Sequence, residues 1–138
     1  MMAHEVVAGA DVLLMPSMFE PCGLTQLYAL RYGTLPLVRR VGGLADTVVD
    51  CSLETISDGI ATGFVFDEPT STAMLGAVRR AFALAQQPAL WTAVQQRGMR
   101  LRFDWAAAAR QYTALFQSLR PHAEPTKPAQ PHDANDVL

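Results

Sequence analysis

The residues best suited to chemistry lie in one short segment, from Glu20 to Thr25, which follows an apolar run and precedes a helical pattern. Glu20 supplies a carboxylate that can accept hydrogen bonds from ligand hydroxyl groups. Pro21 and Gly23 allow the backbone to approach a ligand closely. Because the first amides of a helix lack intrahelical partners, those around Gly23, Leu24 and Thr25 form, with the helix dipole, a site for a phosphate. The segment therefore predicts a carboxylate beside an anion-binding helix start.

The same residues also have a purely structural interpretation. A carboxylate in a loop is often only solvated, and Glu20 can be such a residue. Thr25 can be an ordinary residue of the first helical turn, and Cys22 can be a small side chain that fills space in the core. The residues by themselves leave both interpretations open.

Strand and helix patterns alternate around this segment and must position it. Three short apolar runs predict buried parallel strands, namely residues 11–15, 34–38 and 63–66. Helical patterns cover residues 1–9 and Leu24 to Tyr32, after which Gly33 is placed to end the helix. A turn at Gly42-Gly43 is expected to begin a less regular stretch that leads to the third strand.

This order of elements predicts an α/β fold of the doubly wound type. A complete doubly wound sheet usually has about five or six strands, so three strands are only a part of one. We therefore expect the C-terminal part of a Rossmann-like domain, a three-strand parallel segment followed by C-terminal helices, with truncation on its N-terminal side.

Three helices are predicted after Thr70, which is a candidate N-cap together with Ser71. The first has an apolar stripe made of Leu75, Val78, Phe82 and Ala85. Pro88 opens the second helix, and Asp104 caps the third. The third stripe consists of Trp105, Ala109, Tyr112, Phe116 and Leu119. Residues 121–138 contain four prolines and few large apolar groups, which predicts a disordered tail after a domain at residues 1–120.

Composition excludes several classes of function. The chain has 138 residues, of which 50% are hydrophobic, as in globular proteins. A net charge of −2 leaves no basic surplus for a nucleic-acid partner. Its two cysteines, Cys22 and Cys51, suit a reducing cytoplasm. No apolar run approaches the roughly 18 residues of a membrane span, and we expect neither a membrane partner nor a signal peptide. No metal site and no cofactor are expected.

The segment from Phe19 to Tyr28, together with Gly42 to Val48, resembles the signature of bacterial glycogen synthases and plant starch synthases. The segment from Tyr32 to Arg40 continues the similarity, and 63–66 and 103–105 resemble later landmarks of the same family. The resemblance covers roughly residues 4–119. It implies a GT-B architecture, in which two Rossmann-like domains enclose the active site.

The resemblance also implies an activity and the residues that carry it. The family transfers glucose from ADP-glucose to the 4-hydroxyl at the non-reducing end of an α-1,4-glucan, with retention of configuration and without a bound metal. By resemblance, Glu20 contacts the donor glucose and helps to order the reacting centre. The residues implied to line the donor site are Cys22, Gly23, Leu24 and Thr25, and Gly42 and Gly43 are implied to lie near the same pocket. On the sequence alone, the two glycines are equally well a turn into a short helix.

Three further positions receive structural interpretations. Many other retaining GT-B enzymes have a second glutamate eight positions after the first, where this chain has Tyr28, as in the glycogen and starch synthase branch. A phenol cannot replace the two acceptor oxygens of a carboxylate, so we expect Tyr28 to pack on a helix face. Arg39 and Arg40 follow a strand, where two arginines can approach a phosphate but more commonly form a solvated edge, which is what we expect.

The resemblance further implies that acceptor-binding and additional catalytic groups belong to an N-terminal domain that this chain lacks. We therefore expect the isolated chain to have little or no transferase activity. Two alternatives remain open: a module that binds a nucleotide sugar or glucan without chemistry, and a truncated gene product that cannot fold alone.

Overall fold

Three short parallel strands form a sheet in the described part of the chain, and helices connect them. The computed structural model describes residues 2–119, except for the side chain of Ala107. In chain order the elements are α1 (Met2–Ala8), β1 (Val12–Met15), α2 (Thr25–Tyr32), β2 (Leu35–Arg39), α3 (Gly42–Thr47), α4 (Leu53–Ser57), β3 (Phe64–Phe66), α5 (Ser71–Ala85), α6 (Pro88–Arg100) and α7 (Trp105–Leu119). The chain divides into two units, one that ends at Arg102 and one that begins at Phe103.

Strand β2 lies between β1 and β3 and runs parallel to both, which confirms the predicted α/β class. Val12 of β1 pairs with Leu35, and Arg39 at the end of β2 pairs with Phe66 at the end of β3. Because the strands are parallel, Met15, Arg39 and Phe66 all end at one edge of the sheet. The connections that leave this edge therefore lie side by side.

The core is built on both faces of β2, because successive side chains of a strand point to opposite faces. On one face, Leu35 and Leu37 pack with Phe64 of β3 and with helices α5 and α6. On the other face, Val38 packs with Leu44 of α3. All five side chains are at most 1% exposed. Helices on both faces explain why the central strand is a continuous apolar run.

Helix α5 packs only part of its predicted stripe against the core: Val78 contacts the core, but the larger side chains of the stripe do not. Leu75 is 46% exposed and Phe82 is 69% exposed. The residues that enter the core are Ala77, Ala81 and Leu84. The small alanine side chains allow α5 to approach the sheet closely, whereas larger side chains on that face would hold the helix farther from the sheet. Apolar residues occur on more than one face of this helix, so their spacing identified the packed one only in part.

The ends of the longer helices follow the local sequence signals. Thr70 is the N-cap of α5, and its hydroxyl accepts a hydrogen bond from the amide of Ala73 at 3.2 Å. Pro88 is the first residue of α6. Gly33 ends α2 with a φ of 82°, a left-handed conformation that glycine adopts without steric cost.

Two short helices occupy the stretch for which less regular structure was expected. Helix α3 begins at Gly42, which agrees with the interpretation of the glycine pair as a turn into a short helix. Helix α4 begins after Ser52, whose hydroxyl accepts from the amide of Thr55 at 3.1 Å, while the hydroxyl of Thr55 accepts from the amide of Ser52 at 3.0 Å. Helices of five or six residues are too short to show an apolar period, so periodicity could not reveal them.

The second unit contains helix α7, which begins at Trp105 as the sequence predicts. The large side chains of its predicted stripe are exposed, and Trp105 is 88% exposed. The predicted tail at residues 121–138, and with it the end of the predicted domain at residue 120, lies outside the described residues.

Candidate functional site

The candidate site lies at the edge of the sheet where the strands end. Residues 16–24 connect β1 to α2, and Arg40 and Val41 connect β2 to α3. In open α/β sheets, ligands bind in the crevice outside this edge. The predicted site residues in these connections and at the helix starts that follow them are Glu20, Cys22, Gly23, Leu24, Thr25, Gly42 and Gly43.

The glycine pair that begins α3 packs directly against the backbone of the first connection. A Cβ atom added to Gly42 would lie 2.9 Å from the carbonyl carbon of Glu20 and closer still to its oxygen. A Cβ atom added to Gly43 would lie 2.7 Å from the Cα atom of Cys22. Gly42 also has a φ of 46°, which strains any residue with a side chain. The structure thus brings Gly42 and Gly43 against Glu20 and Cys22.

Helix α2 begins with amides that its own turns do not pair. Leu24 is the N-cap residue, and its side chain makes no capping hydrogen bond. The amide of Tyr28 is bonded to the carbonyl of Leu24 at 3.0 Å, so the amides of Thr25, Gln26 and Leu27 precede this bond. Leu24 and Thr25 are exposed. This helix start can therefore direct N–H groups and a positive dipole end at an anion.

Gln26 is a residue of the site region that sequence reasoning missed. Its side chain is fully buried, and its Nε2 atom donates to the carbonyl oxygens of Cys22 at 3.1 Å and Gly23 at 3.0 Å. The same atom reaches the hydroxyl of Thr47 in α3 at 3.3 Å. One signal was available in the sequence: an amide in the first turn of a helix can reach back to carbonyl groups three and four residues earlier.

Arg39 lies at the partly exposed edge that was expected, and it also connects the segments that follow β1 and β3. Its Nη1 atom donates to the carbonyl oxygens of Ser17 at 3.3 Å and Met18 at 2.9 Å. Its Nε atom donates to the carbonyl oxygen of Asp67 at 3.2 Å. Arg40 is more exposed and forms an ion pair with the carboxylate of Asp67. Arg39 therefore fixes the chain that leads to Glu20.

The two cysteines have different environments. Cys22 is exposed, which excludes the interpretation of this residue as a buried filler. Cys51 is buried, and this burial, with a smaller contribution from the negative charge of Asp50, raises the pKa of its thiol to about 12. Glu20 is half-buried. Glu20 and Cys22 are thus accessible from the edge of the sheet, whereas Cys51 belongs to the core.

Tyr28 contacts helix α1 but is 43% exposed, so the helix-face packing expected for it is only partial. Its ring lies edge-on to the ring of His4, with 4.9 Å between the centroids. The Nδ1 atom of His4 is also 3.2 Å from the hydroxyl of Tyr32. These contacts join helix α1 to helix α2.

Cavities lie near both ends of β1. One of about 240 Å³ adjoins the first connection, where Pro16, Met18 and Phe66 line it. Another of about 340 Å³ lies near Asp11, at the start of β1, and its lining is mostly apolar. The candidate site residues Glu20 and Thr25 follow the end of β1 that adjoins the cavity of about 240 Å³.

Residues 2–119 contain neither a metal-binding cluster nor a membrane-spanning helix. Within that range, no group of three or more His, Cys, Asp or Glu side chains is arranged to hold a metal ion. None of the helices described there is long and apolar enough to cross a membrane.

Comparison with known families and relatives gives consistent matches. Residues 3–93 match the family described as glycosyl transferases group 1. The chain is 70% identical over 122 residues to the glycogen synthase of Albidiferax ferrireducens. This match covers 88% of the chain but 25% of the relative, so the chain spans about a quarter of that relative's length.

Two solved structures share the fold of this chain, one of a plant synthase and one of a bacterial synthase. The catalytic domain of starch synthase IV from Arabidopsis thaliana, bound to ADP and acarbose, matches with a TM-score of 0.73 and 35% identity over 85% of this chain and 24% of that one. Sucrose-phosphate synthase from Thermosynechococcus elongatus matches with a TM-score of 0.56 and 30% identity, over 83% of this chain and 26% of that one. The matches to the glycogen synthase and to starch synthase IV confirm the resemblance to glycogen and starch synthases.

Proposed function

Since this chain belongs to the glycosyl transferases group 1 family and has part of the GT-B fold, we propose that it carries the donor half of a glucosyl-transfer site. Glucose moves from ADP-glucose to the 4-hydroxyl at the non-reducing end of an α-1,4-glucan, with retention of configuration. The observation that supports this proposal best is the meeting of Glu20, the open start of α2 and the Gly42-Gly43 pair at one edge of the sheet.

In this proposal the helix start binds the diphosphate. Transfer breaks the bond between the anomeric carbon and a diphosphate oxygen, and ADP leaves with the electron pair. Amides of Gly23, Leu24 and Thr25 that already point at the phosphate stabilise the growing negative charge without having to reorient. Cys22 and the glycine pair line the same donor site.

Glu20 positions the sugar and supports its developing positive charge. The acceptor attacks from the face that ADP leaves, so no covalent enzyme intermediate is needed. The acceptor oxygen gains the bond to the anomeric carbon, and its proton passes to the departing phosphate. Neither a metal nor a cofactor takes part in this scheme.

The remaining catalytic and acceptor-binding groups belong to an N-terminal domain in this proposal. The glycogen synthase that matches is about four times as long as the matched part of this chain, which supports a division of the site between two domains. We expect the isolated chain to have little or no transferase activity. The proposed setting is the cytoplasm, without nucleic-acid or membrane partners.

Activity can be tested by domain replacement. The chain is placed in the Albidiferax ferrireducens glycogen synthase in place of the matching 122 residues, and incorporation of glucose from ADP-glucose into glycogen is measured. We expect turnover in the parent chimera and a loss of about 100-fold or more in its Glu20→Gln variant. Glu54→Gln, at an exposed acid on α4, is the matched control. Equal turnover in the two variants would contradict the role of Glu20.

Binding without turnover is the second candidate, and the small share of the relative that the chain covers favours it for the isolated chain. Calorimetric titration of the chain with ADP-glucose tests this candidate. We expect weak binding that Glu20→Ala and Thr25→Val reduce. Unchanged binding in both variants would place the nucleotide sugar elsewhere.

A further inference from the structure

We propose that Gln26 is a positioning residue, whose side-chain amide sets the orientation of the backbone amides that face the donor phosphate. This inference rests on the proposed function. It concerns a side chain that is fully buried beneath the connection between β1 and α2 and that makes no contact with solvent.

Gln26 links the two connections of the site through hydrogen bonds. Its Nε2 atom donates to the carbonyl oxygens of Cys22 and Gly23 at 3.1 Å and 3.0 Å. It also lies 3.3 Å from the hydroxyl oxygen of Thr47, which in turn donates to the carbonyl oxygen of Gly43 at 2.6 Å. One amide nitrogen therefore ties the first connection to the helix that begins with the glycine pair.

The other end of the same amide points to a role beyond stability. Among the described residues, the Oε1 atom of Gln26 is buried and has no hydrogen-bond partner. A buried acceptor without a partner is destabilising, and an apolar side chain of the same length would avoid that penalty. Such an apolar replacement would lose only the hydrogen bonds made by Nε2, so the role of Gln26 lies in those bonds.

Those bonds determine where two backbone N–H groups point. The peptide bonds here are trans, so the N–H of each peptide unit points away from its carbonyl group. The carbonyls of Cys22 and Gly23 point inward at Gln26, and the N–H groups of Gly23 and Leu24 consequently point outward. These are two of the three amides that the proposed function assigns to the phosphate. Gln26 thus holds them in the binding orientation before the ligand arrives.

The test compares two variants that each remove hydrogen bonds from a buried polar side chain. Gln26→Met keeps length and volume but removes the amide. Thr34→Val is the matched control: Thr34 is 1% exposed, and its hydroxyl bonds the carbonyl oxygens of Val7 at 2.6 Å and Ala10 at 3.0 Å, before the start of β1. Both variants are made in the glycogen synthase chimera and in the isolated chain.

In the chimera we expect Gln26→Met to lower kcat/KM for ADP-glucose by about 10-fold or more and to raise the inhibition constant of ADP by a similar factor. The KM for glycogen should stay within about twofold of the parent, because Gln26 positions donor contacts only. Thr34→Val should leave all three constants unchanged. A loss of the same size in both variants, or in neither, would overturn the proposal.

In the isolated chain, amide NMR spectra report the orientation without any turnover. We expect the Gly23 and Leu24 resonances to shift or broaden in Gln26→Met and to stay in place in Thr34→Val. Unchanged resonances would refute the positioning role, whereas an inactive parent chimera would refute the proposed function instead. If Gln26→Met does not fold, Gln26→Glu replaces it: a protonated carboxyl can donate one hydrogen bond, so donor affinity should recover as the pH falls. A flat pH profile in this variant would also refute the role.

Discussion

Replacing Gly42 by alanine should separate Glu20 from the start of helix α3. The added Cβ atom would lie 2.9 Å from the carbonyl carbon of Glu20, too close for any real side chain, and both partners are backbone atoms that cannot rotate away. The connection from β1 to α2 must therefore move. Because Glu20 itself lies on this connection, the substitution displaces the proposed catalytic carboxylate.

The expected loss of stability has two parts. The left-handed backbone at Gly42, with a φ of 46°, costs a residue with a side chain about 1–2 kcal/mol. Forcing an extra methyl group into a packed contact costs about 1–3 kcal/mol more. Gly42→Ala should thus lower the free energy of unfolding by about 2–5 kcal/mol.

Two other glycines separate these contributions. Gly59 has a φ of 72°, but a Cβ atom there would meet only the end of the Arg97 side chain at 3.8 Å, so Gly59→Ala reports backbone strain alone. Gly76 lies in α5 with open space around it, and Gly76→Ala should stabilise the helix by about 0.5–1 kcal/mol.

Urea denaturation monitored by circular dichroism gives the free energy of unfolding of each of the three glycine variants. Glucosyl transfer by the chimera gives the functional effect, which we expect in Gly42→Ala and not in the other two variants. If Gly42→Ala is no more destabilising than Gly59→Ala, the contact between the two connections does not constrain the chain, and the reasoning is refuted.

Three further predictions concern the core and the sheet edge. The free energy of unfolding should fall as the pH rises from about 9 toward about 12. The reason is that the Cys51 thiol ionises near its ordinary pKa of 9.0 in the unfolded chain but near 12 in the folded chain. A Cys51→Ala variant should lose this part of the pH dependence of the free energy of unfolding, measured by urea titration at each pH. Asp50→Ala should lower the free energy of unfolding by about 1–3 kcal/mol in the same assay. The Asp50 carboxylate accepts a hydrogen bond from the amide of Val65 at 2.6 Å, and without the carboxylate this amide has no partner. Asp50→Asn keeps an acceptor oxygen and should lower the free energy of unfolding less. Arg39→Met should lower glucosyl transfer by the chimera about 10-fold to 100-fold, because it releases the chain before Glu20. Arg40→Met removes only an exposed ion pair and should change transfer little. Equal effects of the two variants would contradict the positioning role of Arg39.

The sequence predicted the sheet and most helix boundaries for physical reasons that are local. Strands β2 and β3 are continuous apolar runs because both faces of the sheet are covered there. Strand β1 was predicted to be buried as well, but none of its residues is buried and Leu14 is 46% exposed. Thr70, Pro88 and Gly33 each satisfy or replace a backbone group at a helix end, and such effects depend on neighbours along the chain.

The sequence did not predict contacts that depend on the packing of distant segments. The buried face of α5 was predicted only in part because Ala77 and Ala81 contribute little to an apolar pattern, although their small size is what lets the helix approach the sheet. Arg39 and Gln26 bond to backbone carbonyl groups, which every residue has, so no residue type in the partner segment marks these bonds. The segment from Glu20 to Thr25 was recognisable because a strand end and a helix start are both local features.

The order of strands in the sheet has a consequence for folding. Each strand pairs with the next one along the chain, so each pairing closes a loop of only roughly 20–30 residues, with a modest entropic cost. The candidate site is formed by two consecutive connections, one after β1 and one after β2. Pairing of the first two strands therefore brings Glu20 and the glycine pair together in the same event, and a folding nucleus containing β1, α2 and β2 would already contain the framework of the site.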